Sequence, residues 1–413
     1  MKITRLTIAL IPLLILTVGN ASAQARPVAR DSASKMSIQV QARRLVDANG
    51  KTIQLRGVNV SGLESGSILG ALHPWDWSNL TSSPGSEPDW SKIAAWRGNV
   101  VRLPLNEASW LGLTTTDPES AQRKADPSGD YRATVVKSVN HAVAAGLYVI
   151  LDLHWSAPGS FSANAQNPFM DSDHSLAFWA SVANTFKNNP AVLFEPFNEP
   201  YLYPTSIGDG GVFPANQNWN RAIRDGALTA SEFKRTVKGK STNEPYTWTV
   251  VGFQAAINAI RATGATNVII LGGQGFDNDL TWWSQYPPTD PLNQLALAFH
   301  AYGPPTLGHG WGYDPTGNST QYTGDKCVAI LNAPGVPVIL TEMGGAVGPG
   351  ASTTYVNEIL NIVDQQGWSV IAWTWNPWNY DKAGSNTLIQ DITSYTPTEG
   401  LGRTFYNWTF KHN

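Results

Sequence analysis

The chain has 413 residues, of which 42% are apolar and 14% charged, with a formal net charge of −3. So few charges exclude a solvating acidic tail or a basic nucleic-acid arm, and the negative balance argues against polyanionic partners. The 37 Gly and 27 Pro belong to a globular chain with many shaped loops, not to a coiled coil, a collagen or a disordered polymer.

The chain opens on a secretory leader. Lys2 and Arg5 form its positive end, Leu6 to Val18 its apolar run, and Ala21-Ser22-Ala23 its cleavage site, so residues 1–23 are expected to be removed. The run falls short of the roughly 20 residues that span a bilayer, and no later stretch is long enough. The mature protein is therefore expected to be secreted, extracellular or periplasmic, with no membrane partner. Residues 24–37 read as a short polar linker. Alternation then runs from Ile38 to Ala42, bends at Asp47-Ala48-Asn49-Gly50 and returns through Ile53-Gln54-Leu55, which predicts a β-hairpin.

Beyond it, an apolar run, a polar loop and a helical stretch recur. Eight runs are found: Ile53–Val60, Val100–Leu105, Tyr148–Trp155, Val192–Glu199, Val268–Gly273, Leu295–Tyr302, Val338–Glu342 and Val370–Trp375. Their Val, Ile and Leu content without strict alternation fits parallel strands covered by helices. Helical periodicity marks Tyr131–Ala145, Ser175–Lys187, Trp248–Thr263 and Thr354–Gln366, the first stopping at Gly146. Eight strands with helical crossovers predict an α/β fold, a (β/α)8 TIM barrel, with residues 38–413 as one catalytic domain. The rival, an open doubly wound sheet, lacks a GxGxxG after its first strand. Tyr201–Pro245 reads as one long loop, of a size that usually carries function.

Cysteine and metal signals are sparse. Cys327 is the single cysteine, so no intramolecular disulfide forms, and it reads as a packed small hydrophobe. HExxH, CxxC and EF-hand spacings are missing, and no metal or organic cofactor is expected. The chain has 17 Trp, 13 Tyr and 13 Phe, whose flat faces fill cores or stack on sugar rings. Trp75, Trp77, Trp110, Trp155, Trp282, Trp283, Trp311 and Trp378 fall in loops or just past strand ends and are candidates for outer sugar subsites.

Catalytic groups of such barrels sit at the C-terminal strand ends. Those ends read Val101-Arg102-Leu103-Pro104, Asp152-Leu153-His154-Trp155, Phe197-Asn198-Glu199-Pro200, Phe299-His300-Ala301-Tyr302, Thr341-Glu342 and Trp373-Thr374-Trp375. Polar and ionisable residues recur where a barrel core would hold Val or Ile, which marks a lined active site. Glu195 shares the parity of Glu199 but belongs lower, as a structural carboxylate.

From roughly Ile53 to Trp378 these segments resemble glycoside hydrolase family 5, retaining β-glycanases that include many bacterial cellulases. The family's motif positions are matched by Arg102, His154, Asn198, Glu199, His300, Tyr302, Glu342 and Trp375. The resemblance implies Glu342 as nucleophile and Glu199 as acid/base. Arg102 would keep the nucleophile ionised while Tyr302 hydrogen-bonds it, and burial plus the charge of Glu342 would keep Glu199 protonated. Asn198 would donate to the sugar 2-OH, Trp375 would form the floor beneath that sugar, and His154 and His300 would bind hydroxyls or orient the carboxylates. The expected activity is a secreted endo-β-1,4-glucanase, acting as a monomer on a β-linked polysaccharide or oligosaccharide. The alternatives are a mannanase, a xyloglucanase, an exo-β-glucosidase-like enzyme or a non-catalytic carbohydrate-binding barrel.

Overall fold

The computed structural model describes residues 36–75, 86–116, 122–159, 163, 166–201, 218–230, 235–237, 240–242, 248–302, 324–345, 353–377 and 386–412. The expected leader at residues 1–23, most of the expected linker, and Trp77, Trp311 and Trp378 lie outside them. Among the described residues no helix is long and apolar enough to cross a membrane.

Eight parallel strands close into a barrel, each falling within or over one of the eight apolar runs. They are β1 (Arg56–Asn59), β2 (Val100–Asn106), β3 (Tyr148–Trp155), β4 (Val192–Glu195), β5 (Ile269–Leu271), β6 (Leu295–Ala301), β7 (Val338–Met343) and β8 (Ser369–Ala372). Neighbours in sequence are neighbours in space, and β8 closes on β1 with Val370 opposite Arg56 and Ile371 opposite Gly57. This is the (β/α)8 barrel that the run-and-helix pattern predicts.

Side chains alternate across each strand, so one parity fills the barrel and the other meets the helices. Leu55, Val100, Ile150, Leu193, Ile270, Ala298, Ile339 and Ile371 form a fully buried interior layer. The opposite parity (Val101, Leu103, Val149, Leu151, Phe194, Leu297) packs outward on the helix faces. Helix Tyr131–Ala144 contributes Val135, Val139 and Ala142, and helix Ser175–Phe186 contributes Phe178, Trp179, Val182 and Phe186. Gly146, at φ +86°, carries the chain off the first of these into β3.

Several boundaries differ from the sequence reading. The N-terminal hairpin has three strands, Gln39–Gln41, Arg44–Val46 and Thr52–Ile53. Asn49-Gly50 joins the last two, but an additional bend with Ala42 at φ +53° joins the first two. β4 stops at Glu195 because Pro196 has no N–H for the ladder, and Glu199 therefore sits on a loop. Trp248–Val251 is a strand paired with Gly226–Ala230, so the helix starts only at Phe253. The aromatic and β-branched Trp-Thr-Val-Val run favours extension over helix. The span expected to be one loop, Tyr201–Pro245, holds helix Trp219–Asp225 and three short strands.

Gly57 marks the tightest approach in the closed sheet. A Cβ there would lie 1.9 Å from the Val100 carbonyl oxygen and 2.6 Å from its Cγ1, so any side chain must push β1 from β2. Gly57→Ala is expected to lower the urea midpoint by an amount equivalent to about 1–3 kcal/mol of overpacking. Tryptophan fluorescence during urea titration checks this, and an unchanged midpoint would show that the seam yields freely.

Candidate active site

Directly above the apolar layer the inward positions change character. Asn59, Arg102, Asp152, Glu195, His300 and Thr341 follow the same parity as Val100, Ile150, Leu193, Ala298 and Ile339, and all six are buried. Alternation therefore delivers a polar ring onto an apolar floor.

Arg102 is the hub of that ring. Its Nε donates to Glu195 Oε2 at 2.6 Å, and its Nη1 to Glu342 Oε1 at 2.8 Å and Asn59 Oδ1 at 2.9 Å. Its Nη2 donates to Asn198 Oδ1 at 2.8 Å and lies 3.0 Å from Asp152 Oδ2. Burial opposes the positive charge, but Asp152, Glu195 and Glu342 outweigh it and hold the guanidinium charged. One cation cannot neutralise three buried carboxylates. Burial accordingly pushes Asp152 and Glu195 up to about 7, against the pull of Arg102.

Glu342 reaches the site through a register shift. β6 and β7 pair Phe299 with Leu340 but His300 with Glu342, so Thr341 is an extra residue. Thr341 and Glu342 thereby both serve the site: Thr341 Oγ1 lies 3.1 Å from His300 Nε2, and Glu342 meets Arg102. The second oxygen of Glu342 accepts the Tyr302 hydroxyl at 2.7 Å. Tyr302 stands at the rim, 37% exposed, with burial of its hydroxyl end and Glu342 raising its pKa.

Glu199 lives in different surroundings. His300 Nδ1 lies 2.7 Å from its Oε1, and Gln166 Nε2 donates to its Oε2 at 3.2 Å and to its carbonyl at 3.0 Å. Its side chain is 17% exposed, facing the mouth. Burial raises its pKa, while His154, Gln166, Arg102 and Asn198 pull the other way. An oxygen of Glu199, one of Glu342 and a nitrogen of His300 all lie within 4.8 Å of one another. Burial lowers the His300 pKa to about 3, so its ring is neutral between the two carboxyls.

The structure brings seven of the eight expected residues together: Arg102, His154, Asn198, Glu199, His300, Tyr302 and Glu342. His154 Nδ1 bonds Asp152 Oδ2 at 2.7 Å, and its ring lies parallel to that of Trp373, with centroids 5.6 Å apart. Trp375 does not join them. It is 3% exposed, edge-on to Trp96 at 4.8 Å and stacked on Tyr395 at 5.7 Å, which makes it core rather than floor. Trp373, two residues earlier, is half-buried and is the tryptophan that lies beside His154. Both tryptophans share the parity of Ile371, so alternation alone does not choose between them.

Other readings shift as well. Trp75, Trp110, Trp282 and Trp283 are buried and belong to the core, not to outer subsites, whereas Trp155 is half-buried at the end of β3. Glu195 is the structural carboxylate expected of it, locked to Arg102. Gln166 was not foreseen, because a loop residue's partner leaves no periodic signal. Cys327 is buried, and burial pushes its thiol up to about 12. Among the described residues, three clusters set three potential ligand atoms within 4.8 Å: Glu107–Asp171–His174, Glu195–Asp277–His300 and Glu199–His300–Glu342. In the last, Arg102, Tyr302 and Gln166 already occupy carboxylate lone pairs.

Comparison with known proteins places this geometry in a family. The chain is 27% identical over 384 residues to the major extracellular endoglucanase of Xanthomonas campestris pv. campestris, covering 91% of this chain and 72% of that protein. It is 25% identical over 370 residues to endoglucanase 1 of Saitozyma flava, covering 87% and 90%. A β-glucanase from Saccharophagus degradans, solved with cellotetraose, shares the fold with a TM-score of 0.58 and 20% identity over 92% of this chain and 94% of that one. The family model described as cellulase (glycosyl hydrolase family 5) matches residues 46–379, so this chain belongs to that family and is a glycoside hydrolase.

Proposed function

We propose that the protein is a secreted, retaining endo-β-1,4-glucanase that works by double displacement, with Glu342 as nucleophile and Glu199 as acid/base. The observation that carries this reading is the pairing of two carboxyls within 4.8 Å in opposite surroundings. That spacing leaves no room for the water that inverting enzymes seat between carboxyls about 6.5–9.5 Å apart. Glu342 accepts from the Arg102 guanidinium on one oxygen and from the Tyr302 hydroxyl on the other, which fixes its orientation for attack on the anomeric carbon. Glu199 is pushed upward by burial, which favours the protonated acid that the departing oxygen requires.

In the first step Glu342 bonds the anomeric carbon while Glu199 gives its proton to the leaving oxygen. In the second, Glu199 takes a proton from water, and that water displaces Glu342. Asn198 is held by Arg102 through its oxygen and donates one amide hydrogen to Gln166 Oε1 at 3.3 Å, and its second amide hydrogen is the donor toward the sugar 2-OH. Trp373 is the proposed platform, and the two carboxyls need no metal or organic cofactor. The leader-like pattern at residues 1–23 supports export, residues 24–37 are a linker, residues 38–413 are one catalytic domain, and the protein acts as a monomer.

The printed activities of the relatives support β-glucan as substrate. Reducing-sugar release is expected to be fastest on carboxymethylcellulose or mixed-linkage β-glucan, and at least about tenfold slower on galactomannan, a loss of roughly 1.4 kcal/mol in transition-state stabilisation. Faster release from galactomannan would replace the glucanase reading by a mannanase.

Azide separates the two carboxyls on an activated aryl cellobioside. Glu199→Ala is expected to form the glycosyl-enzyme, stall, and be rescued by azide to the β-glycosyl azide; Glu342→Ala should give the α-azide. NMR of the products decides, and exchanged stereochemistry would exchange the roles.

Trp373→Ala is expected to lower kcat roughly fivefold or more, since ring stacking is worth about 1 kcal/mol beyond area burial. Trp375→Ala should instead lower the melting temperature through a core cavity. Steady-state kinetics and thermal melts on both variants test the assignment, which fails if the kinetic loss follows Trp375 alone.

A further inference from the structure

Behind His300 lies a carboxyl that double displacement by Glu342 and Glu199 leaves unused. β5 leads into Gly272 at the inward position of the polar ring, where a Cβ would fall 2.0 Å from Asp277 Oδ1. The missing side chain makes room for Asp277 to fold back into the ring from the following turn. That turn is costly: Gly275, Phe276 and Asp277 all have φ near +60°, and two of them are not glycine. Such conformations persist where the surroundings over-determine them, and they cluster at functional sites. The turn is also tied to the acid/base loop, since Phe276 N donates to the Pro200 carbonyl at 3.0 Å and the Phe276 and Tyr201 rings stack at 5.1 Å.

Asp277 is fully buried. Its Oδ1 accepts from Gly273 N at 2.7 Å, and its Oδ2, without a hydrogen-bond partner among the described residues, lies 3.6 Å from His300 Nε2, a nitrogen that also faces Thr341 Oγ1 at 3.1 Å. The opposite nitrogen of the same ring is the one against Glu199. We propose that Glu199, His300 and Asp277 form a buried proton relay, in which one proton passes between the two carboxyls through the tautomers of His300. The proposal rests on the acid/base reading of Glu199.

The transfer balances. Asp277 Oδ2–H passes its proton to His300 Nε2 while His300 Nδ1–H passes its own to Glu199 Oε1. The imidazole stays neutral and exchanges tautomer, and no electrons leave the chain. Around Asp277 stand His300 from β6, Glu195 from β4, Arg102 from β2 and Glu199 from its loop; around His300 stand Glu342, Arg102 and His154 as well. Burial first, then Glu195, raises the Asp277 pKa, which favours its protonated form. Two carboxyls coupled across a neutral ring lose their protons in two steps, the second delayed by the charge left by the first. The chain thus retains a proton for Glu199 at pH values where an isolated carboxyl has lost it. Hydrogen bonds of this kind are often long before substrate binds and tighten afterwards.

Asp277→Asn tests the relay, because the amide keeps an oxygen for Gly273 N but cannot take or give up the proton. Its NH2 would face Nε2, forcing the ring proton to Nδ1, where it favours ionised Glu199. The alkaline limb of kcat/KM on cellopentaose is expected to move roughly one unit to lower pH. A limb at the wild-type position, with only kcat or melting temperature changed, would make Asp277 a purely structural turn residue. In the unmutated protein, 15N NMR of His300, assigned by its loss in His300→Asn, is expected to show both ring nitrogens at shifts between the two tautomers. A ring fixed in one tautomer from pH 5 to 8 overturns the relay even if Asp277→Asn does not fold. Glu199→Ala separates the two readings: an alkaline limb that persists in it sinks the acid/base assignment and the relay together. Loss of that limb in Glu199→Ala, with no shift in Asp277→Asn, sinks the relay alone.

Discussion

A single buried guanidinium organises the mouth of this barrel. Arg102 reaches Asn59 on β1, Asp152 on β3, Glu195 on β4, Asn198 on the loop after β4 and Glu342 on β7. Taking one cation and three carboxylates out of water costs several kcal/mol per ion, and only close, well-directed hydrogen bonds recover it. A lysine would offer a point charge, whereas the planar fork of arginine serves five acceptors at fixed angles. The arrangement is thus a poor device for stability and a good one for geometry, since each acceptor is held by the group that holds the others.

From that hub the two carboxyls at the mouth acquire different surroundings without different chemistry. Glu342 touches the cation directly, while Glu199 meets only neutral donors and a neutral imidazole. The register shift at Thr341 lets two consecutive residues of β7 face the same side, which a regular strand cannot do. Local irregularity is concentrated around the polar ring: the shift at Thr341, the early end of β4, and the left-handed turn after β5.

Much of this was legible in the chain. The eight apolar runs carried the barrel, because parallel strands buried on both faces are continuous hydrophobic stretches. The polar ring was legible as a break in that pattern, with Arg102, Asp152 and His300 where aliphatic residues belong. The choice between Trp373 and Trp375 was not, since the strand ends at Ala372 and parity no longer governs the residues beyond it. The places of Gln166 beside Glu199 and of Asp277 beside His300 were equally hidden, because each comes from outside the barrel strands along a path that depends on tertiary contacts. The strand at Trp248–Val251 was masked by a helical period that its β-branched residues overrode.

The seam between β8 and β1 joins residues more than three hundred positions apart, with Ala372 opposite Val58. Contacts of such long sequence separation form against a large loop-closure entropy and late in folding. Asn59, at the end of β1, holds the Thr341 carbonyl of β7 at 2.9 Å and the Arg102 guanidinium from its other side. Until the seam shuts, then, the charged ring has a missing wall through which water reaches Arg102 and its carboxylates. The closure that joins the two ends of the barrel is thus also the step that seals the charged ring from water, so the cost of burying those charges falls where their last partners arrive.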